Sequence, residues 1–365
     1  MSYIVAMGTA NPPHQFSQSS IARFMERAMN LNPSEARKLQ ALFRASGIET
    51  RHSVLSDYGR IDAFDFFANS ESMEPFPSTA QRMEVYKAEA ISISTRAAQS
   101  CLQQITPATV THLITVSCTG QYAPGLDIDL IKALGLSPTV ERTNINFMGC
   151  YAAFNALKVA NAICAADTDA RVLVVCVELC SLHFQHENTE DNMLANALFA
   201  DGAAAMLVQG QAVPGINLKP LSFYCDLAME GEQDMAWSVG DRGFEMKLSA
   251  YVPQIIQKGI GDLTRQLLDR IQHRGNIDFL AIHPGGKKIL SAIELAMNLP
   301  AEKNAFAYEV LRKYGNMSSP TVVFVLQAIW RQLSEADHSK TILSFAFGPG
   351  LTLESALFAI EIHPR

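Results

Sequence analysis

The 365-residue sequence has no excess of positive charge: 29 Lys and Arg stand against 36 Asp and Glu, a formal net charge of −7. This excludes the basic face of a nucleic-acid binder and the polybasic segment of a membrane-surface protein. No stretch reaches 18 uninterrupted apolar residues, so no span of a bilayer is expected. The start, Met1-Ser2-Tyr3-Ile4-Val5-Ala6-Met7-Gly8, lacks a basic segment ahead of an apolar one, so no signal peptide is expected. The seven cysteines are odd in number and contain no CxxC pair, which argues against a disulfide framework and a zinc ribbon. Reduced thiols in a cytoplasmic protein fit better. Charged residues are scarce at 18%, whereas apolar residues make up 48% and mean hydropathy is +0.07. Such a chain is not disordered. It suggests strands and helices buried on both faces, as in α/β proteins.

Short β-branched runs alternate with helical patterns. Strands are expected at 113–117, 171–177, 204–208, 279–282, 341–347 and 353–360, and helices at 151–165, 254–271, 289–297 and 322–334. Alternation of this kind predicts a mostly parallel sheet covered by helices. A weak internal repeat is visible. THLITVSC, RVLVVCVELC and DGAAAMLVQG in the middle are matched in order by IDFLAIHP, KTILSFAFGPG and LESALFAI in the last third. Two similar halves, 1–212 and 213–365, are the natural division. The polar, proline-bearing segment Ser72–Gln81 reads as a surface loop before a helix over Arg82–Leu102.

The most informative stretch is Ile145-Asn146-Phe147-Met148-Gly149-Cys150-Tyr151-Ala152. Gly149 permits a sharp strand-to-helix turn. The Cys150 sulfur then lies near a helix N-terminus, where thiol pKa values fall from ~8.5 to roughly 3.5–7.5. Most cysteines are buried spacers instead, and Cys101, Cys164 and Cys176 are read that way. Downstream, His283 closes a strand and precedes Pro284-Gly285-Gly286, where α/β sheets place functional groups. Asn316 stands in the turn Gly315-Asn316-Met317-Ser318-Ser319-Pro320 ahead of an apolar helix. On its own this turn is most simply a helix cap by Asn316 or Ser318. Gly348-Pro349-Gly350 ends another strand in a stiff loop with few side chains.

These four motifs, in this order and across essentially the whole chain, resemble the type III polyketide synthases, the chalcone synthase-like branch of the thiolase superfamily. The resemblance implies the five-layered αβαβα thiolase fold, built from two similar halves, in a homodimer. It implies Cys150 as the acyl-carrying nucleophile, with His283 and Asn316 completing the catalytic set. Phe199, in Asn196-Ala197-Leu198-Phe199-Ala200-Asp201-Gly202, corresponds to a phenylalanine at the gate between the CoA tunnel and the active site. The implied reaction loads an acyl-CoA starter and extends it with malonyl-CoA by decarboxylative Claisen condensation. A cyclisation of resorcinol, pyrone or phloroglucinol type follows. It requires no metal or redox cofactor. Partners are the two CoA thioesters, with no nucleic acid and no integral membrane contact.

The sequence departs from the plant pattern at several cavity positions. The second gate phenylalanine falls at Met246. A cavity threonine appears as Cys118, beside Thr119. A methionine that crosses the dimer appears as Ala123, a starter-pocket threonine as His183, and a pocket glycine as Trp237. The first glycine of the GFGPG loop is replaced by Ala346. A reshaped starter slot that admits a fatty acyl chain is inferred, closer to bacterial alkylresorcinol and alkylpyrone synthases than to chalcone synthase. Of the family's CoA-binding cations, Lys38 matches one position and Arg44 lies a residue off another. Lys287 and Lys288, after Gly285 and Gly286, are candidate replacements. A metal reading of His183-x-x-His186-Glu187 is rejected for want of a third ligand. The competing functions are a ketoacyl-ACP synthase III-like single condensation and a catalytically silent dimer partner. A papain-like hydrolase is excluded, because its cysteine lies near the mature N-terminus.

Overall fold

The computed structural model describes residues 1–364. Aliphatic runs become strands and amphipathic runs become helices. The strands are β1 (Tyr3–Ala10), β2 (His14–Ser17), β3 (Thr50–Ser53), β4 (His112–Ser117), β5 (Glu141–Asn146), β6 (Arg171–Leu179) and β7 (Asp201–Gln209). They continue with β8 (Gly215–Leu227), β9 (Met235–Gly240), β10 (Gly243–Leu248), β11 (Phe279–Ile282), β12 (Thr341–Gly348) and β13 (Thr352–His363). The helices are α1 (Gln18–Ala28), α2 (Pro33–Ala45), α3 (Thr79–Cys101), α4 (Leu126–Leu134) and α5 (Ala152–Ala166). The rest are α6 (Glu190–Leu198), α7 (Val252–Asp269), α8 (Lys287–Met297), α9 (Ala305–Tyr314) and α10 (Thr321–Trp330). Helix α3 begins at Thr79 rather than Arg82. Ser78 and Gln81 form a reciprocal capping box there, which satisfies two of the first free N–H groups.

Nine strands run in the order β11-β12-β13-β8-β1-β7-β6-β4-β5. The expectation of a mostly parallel sheet is corrected. Only β4–β5, β4–β6 and β11–β12 pair in parallel, and the other neighbours are antiparallel. Parallel pairing needs a crossover of a dozen or more residues. Between β12 and β13 there are only Pro349–Leu351, so that pair must turn back on itself.

The repeat seen in the sequence reappears as topology. Outward from the single β1–β8 pair, Ile4↔Leu218, one side runs β1, β7, β6, β4 and the other β8, β13, β12, β11, with matching parallel and antiparallel steps. Strand β5 has no counterpart on the second side. Helices α5 and α10 pack between the sides: α5 touches β4, β6, β7 and β13, and α10 touches β1, β7 and β11. Helix α3 covers the outer face of the first side and α7 that of the second, giving the five layers of the thiolase fold. The sequence explains the middle layer: α10, TVVFVLQAIW, is buried all round except Ala328 and Trp330. Among the described residues, no helix is long and apolar enough to cross a membrane.

Candidate active site

Two equivalent turns meet at the inner helices. Strand β5 ends at Asn146, and the chain reverses through Phe147 at φ +60 and Gly149 at φ +83 before α5 begins. A side chain at residue 149 is doubly excluded, by this left-handed backbone and because a Cβ there would meet Pro349 Cδ at 2.2 Å. A Cβ on Gly348 would likewise reach the Tyr151 ring at 2.6 Å. The Gly348-Pro349-Gly350 loop therefore lies hard against the turn that presents Cys150. On the other side, Gly315 at φ +70 and Ser318 at φ +56 make the corresponding turn before α10 and present Asn316. His283 follows β11 directly and is held by its backbone N–H to Phe345 O at 2.8 Å.

Cys150, His283 and Asn316 line one narrow cavity. Cys118, Thr119, Phe199, Trp237, Met246, Ser318, Gly285 and Pro349 line it too. The Cys150 thiol points at Asn316 Oδ1, 4.0 Å away. That oxygen also accepts the Ser318 N–H at 2.8 Å, which fixes the amide so that Nδ2 is the free end. Nδ2 makes only a long contact, 3.3 Å, to Gly285 O. His283 is 1% exposed, and neither ring nitrogen has a hydrogen-bond partner among the described residues. A buried imidazole without a partner is costly. Here the unused capacity faces the cavity that holds the thiol.

The lowered thiol pKa expected at Cys150 is not found. Burial pushes it up to about 12, although the Ser318 and Asn316 side chains pull the other way. Burial also pushes His283 down to about 3. At neutral pH the resting pair is therefore a thiol and a neutral imidazole rather than an ion pair. Desolvation disfavours both charged forms at once. His283 is the base available in the cavity to take the thiol proton. Iodoacetamide alkylation of Cys150 should therefore change far less than tenfold per pH unit between about pH 5.5 and 8.5, a window in which both groups keep one protonation state and only the neighbouring Glu178 titrates. A rate rising tenfold per pH unit would mean that the proton leaves to solvent instead.

Behind the cavity lining, bonded to Cys118 and Thr119, lies a carboxyl that sequence reasoning missed. Glu178 is fully buried at the end of β6. It accepts the Cys118 N–H at 2.9 Å and the hydroxyls of Thr119 and Ser319, each at 2.8 Å. Burial raises its pKa to about 7. The available signal was one charged residue in the otherwise apolar run VLVVCVEL, which follows Arg171. Cys118 Sγ in turn accepts the Gly149 N–H at 3.0 Å and braces the turn that presents Cys150.

Behind Trp237, which lines the cavity, stands a pinned aromatic group. His183 donates from Nε2 to Thr119 O at 2.7 Å and accepts the Phe244 N–H at Nδ1, 2.9 Å away. It stacks on the Phe244 ring at 4.2 Å. With both nitrogens used, His183 has no lone pair for a metal. Trp237 stands edge-on to it and donates to Cys118 O at 3.0 Å. Beyond Phe199, Trp237 and Met246 lies a second cleft, which His183 lines.

The remaining expected residues are dispersed. Ala123 lines a separate cleft of about 350 Å³ with Asn144 and Asn146 of the outermost strand. Gly286, Lys287 and Lys288 line a mouth cleft of about 100 Å³, which shares Gly285, Leu248 and Ile289 with the Cys150 cavity. Arg44 faces another groove, beside Gln18 and Arg23, and Lys38 is exposed on α2. Gly350, at φ +72, shapes the loop and does not line the cavity.

Comparison with known proteins gives a consistent result. The family of chalcone and stilbene synthases matches over residues 1–212 with its N-terminal domain and over 225–360 with its C-terminal domain. The alpha-pyrone synthesis polyketide synthase-like Pks18 of Mycobacterium tuberculosis is 32% identical, over 98% of this chain and 91% of the relative. The crystal structure of PKS-I from the brown alga Ectocarpus siliculosus superposes with a TM-score of 0.91 at 28% identity, covering 98% of both chains. The type III polyketide synthase domain of Steely1, from Dictyostelium, superposes at 0.90 and 28% identity, covering 98% of this chain and 99% of that one.

Proposed function

The chain belongs to the chalcone and stilbene synthase family and is a type III polyketide synthase, and from that premise we propose the following division of labour in its site. An acyl-CoA starter enters by the mouth cleft. Its phosphates meet Lys287, Lys288 and the free N–H groups at the start of α8, which attract anions. The Cys150 proton passes to His283, and the thiolate attacks the thioester carbonyl. The CoA thiol leaves, taking that proton back. Cysteine suits both loading and later release, because it is nucleophilic and a good leaving group.

Malonyl-CoA then loses its carboxylate as CO2, and the electron pair moves onto the thioester oxygen as an enolate. The neutral His283 N–H and the Asn316 amide N–H are the donors to that oxygen. Phe199 contributes an apolar wall against the departing carboxylate. The enolate carbon attacks the Cys150 thioester carbonyl, the C–S bond breaks to return the Cys150 thiolate, and the chain, two carbons longer and now carried on CoA, reloads onto Cys150 for the next round. No metal or redox cofactor enters. The observation that carries this reading is the convergence of the Cys150 thiol, an imidazole with free nitrogens and an oriented amide in a single buried cavity.

The starter is read as aliphatic. Pinned His183 and Trp237 fill the side on which a rigid aromatic starter would sit, and the flexible Met246 is the adaptable part of the wall. An alkylpyrone or alkylresorcinol is the matching product. Incubation with a panel of acyl-CoAs and malonyl-CoA, read by mass spectrometry, tests this. Aliphatic starters should give products carrying several added two-carbon units. A single β-ketoacyl product on acyl carrier protein would replace this reading with a ketoacyl synthase, and preference for aromatic starters would overturn the wall's role.

The proposed assembly is a homodimer in the cytoplasm. Strand β5 ends the sheet with mostly exposed residues, an open edge that invites pairing. The cleft beside Ala123 opens at that edge. A sedimentation mass near twice 40.0 kDa goes with this assembly and a monomer does not.

A further inference from the structure

Helix α6 delivers Phe199 to the cavity, and its C-terminal end is unusually well accounted for. The last carbonyls of a helix lack intrahelical partners and must find others when buried. Here each one does. Ala195 O takes the Phe199 N–H at 3.1 Å, and Leu198 O takes the Asn316 N–H at 2.9 Å. Ala197 O takes Gln18 Nε2 at 2.7 Å. Asn196 O and Phe199 O both take Arg51 Nη1, at 2.8 and 2.6 Å. The Ala200 N–H then bonds to Asn316 O at 2.8 Å, so that Phe199 and Asn316 form an isolated parallel bridge.

Arg51 is 3% exposed. Its Nε donates to Gln18 Oε1 at 2.8 Å, and its Nη2 has no partner among the described residues. All its hydrogen bonds go to carbonyl or amide oxygens, none to a carboxylate. A buried guanidinium without an ion pair is expensive, and a neutral side chain could cap a helix end more cheaply. Nη1 holds both Asn196 O and Phe199 O while Nε holds Gln18, and the rigid guanidinium plane fixes the spacing of these donors. Its aliphatic stem also sets the neighbouring turn. A Cβ on Gly315 would meet Arg51 Cγ and Cδ at 2.9 Å and Leu198 O at 3.0 Å, so residue 315 must be glycine for Asn316 to sit where it does. Phe199 and Asn316 come from different halves of the chain, and Arg51, from a third segment, ties them together.

We propose that Arg51, backed by Gln18, is a positioning residue for decarboxylation: it clamps the end of α6 and so holds Phe199 and Asn316 in register with each other. This rests on the roles given above to Phe199 and Asn316. Arg51 touches neither the thiol nor the cavity amide, so starter loading on Cys150 should be independent of it.

The test compares three variants of the full-length enzyme. Arg51→Lys keeps the charge and loses the fork, Gln18→Met frees the guanidinium from its support, and Asn316→Ala removes the proposed enolate donor. Acyl loading on Cys150 is read by intact-protein mass, and CO2 release from labelled malonyl-CoA is counted separately. In Arg51→Lys, loading should stay within about twofold while CO2 release falls at least about tenfold, the signature of an interaction used in one step only. Gln18→Met should show the same split more weakly, and it carries the test if Arg51→Lys does not fold. Loss of both steps in proportion would make Arg51 merely structural, and loss of neither in folded variants would equally overturn the proposal. If Asn316→Ala itself releases CO2 normally, the failure lies in the catalytic reading. If Asn316→Ala fails while Arg51→Lys and Gln18→Met do not, only the positioning role falls.

Discussion

Cys150→Ala will load no acyl group and form no polyketide, with turnover lower by at least about 10³-fold, the scale on which losing a covalent nucleophile acts. Its melting temperature should barely change. The sulfur faces a cavity rather than filling a packed core, so trimming it costs about 1 kcal/mol or less. Malonyl-CoA decarboxylation should persist in this variant, because His283 and Asn316 remain in place. Mass spectrometry of the intact protein after incubation with acyl-CoA reads loading, and calorimetry reads the fold. Polyketide formation by a folded Cys150→Ala enzyme would remove the thiol from the mechanism. Cys118 and Cys180 border the same cavity, and an acyl adduct on either would show that a neighbour can substitute.

Asn316→Ala is expected to lower malonyl-CoA decarboxylation by about 10²–10³-fold, the range found when one oxyanion donor is removed. Loading of Cys150 should fall much less, since the amide oxygen is only a weak 4.0 Å partner of the thiol. The backbone contacts at residue 316 survive in alanine: its N–H still reaches Leu198 O and its carbonyl still receives the Ala200 N–H. The variant therefore separates the amide's chemistry from the bridge that holds Phe199. Counting labelled CO2 against acyl-enzyme formation reads the two steps independently. Normal CO2 release would leave His283 as the sole donor and end the assignment of Asn316.

Much of the site was legible because its backbone demands special residues. Gly149, the Pro284-Gly285-Gly286 turn, Gly315 and the Gly348-Pro349-Gly350 loop mark places where a Cβ or the wrong φ would not fit, and they flank Cys150, His283 and Asn316. Glu178 and Arg51 were not legible. Their function lies in which distant carbonyls and hydroxyls they meet, and those partners are up to 148 positions away along the chain. Which groove Arg44 faces was not legible for the related reason that spacing along the chain does not say where a side chain comes to lie.

The sequence by itself determined the α/β class, the repeated strand triples, the elements of the inner layer and the glycine-marked turn that precedes Cys150. These follow from periodicity and local backbone rules, which act within a few residues. Tertiary structure alone decided the mixed strand directions, the closed aromatic wall of His183, Trp237 and Phe244, and the neutral resting state of the Cys150–His283 pair. It decided the last of these because desolvation is set by everything packed around a group, and it overrode the local helix-end effect that had favoured a thiolate.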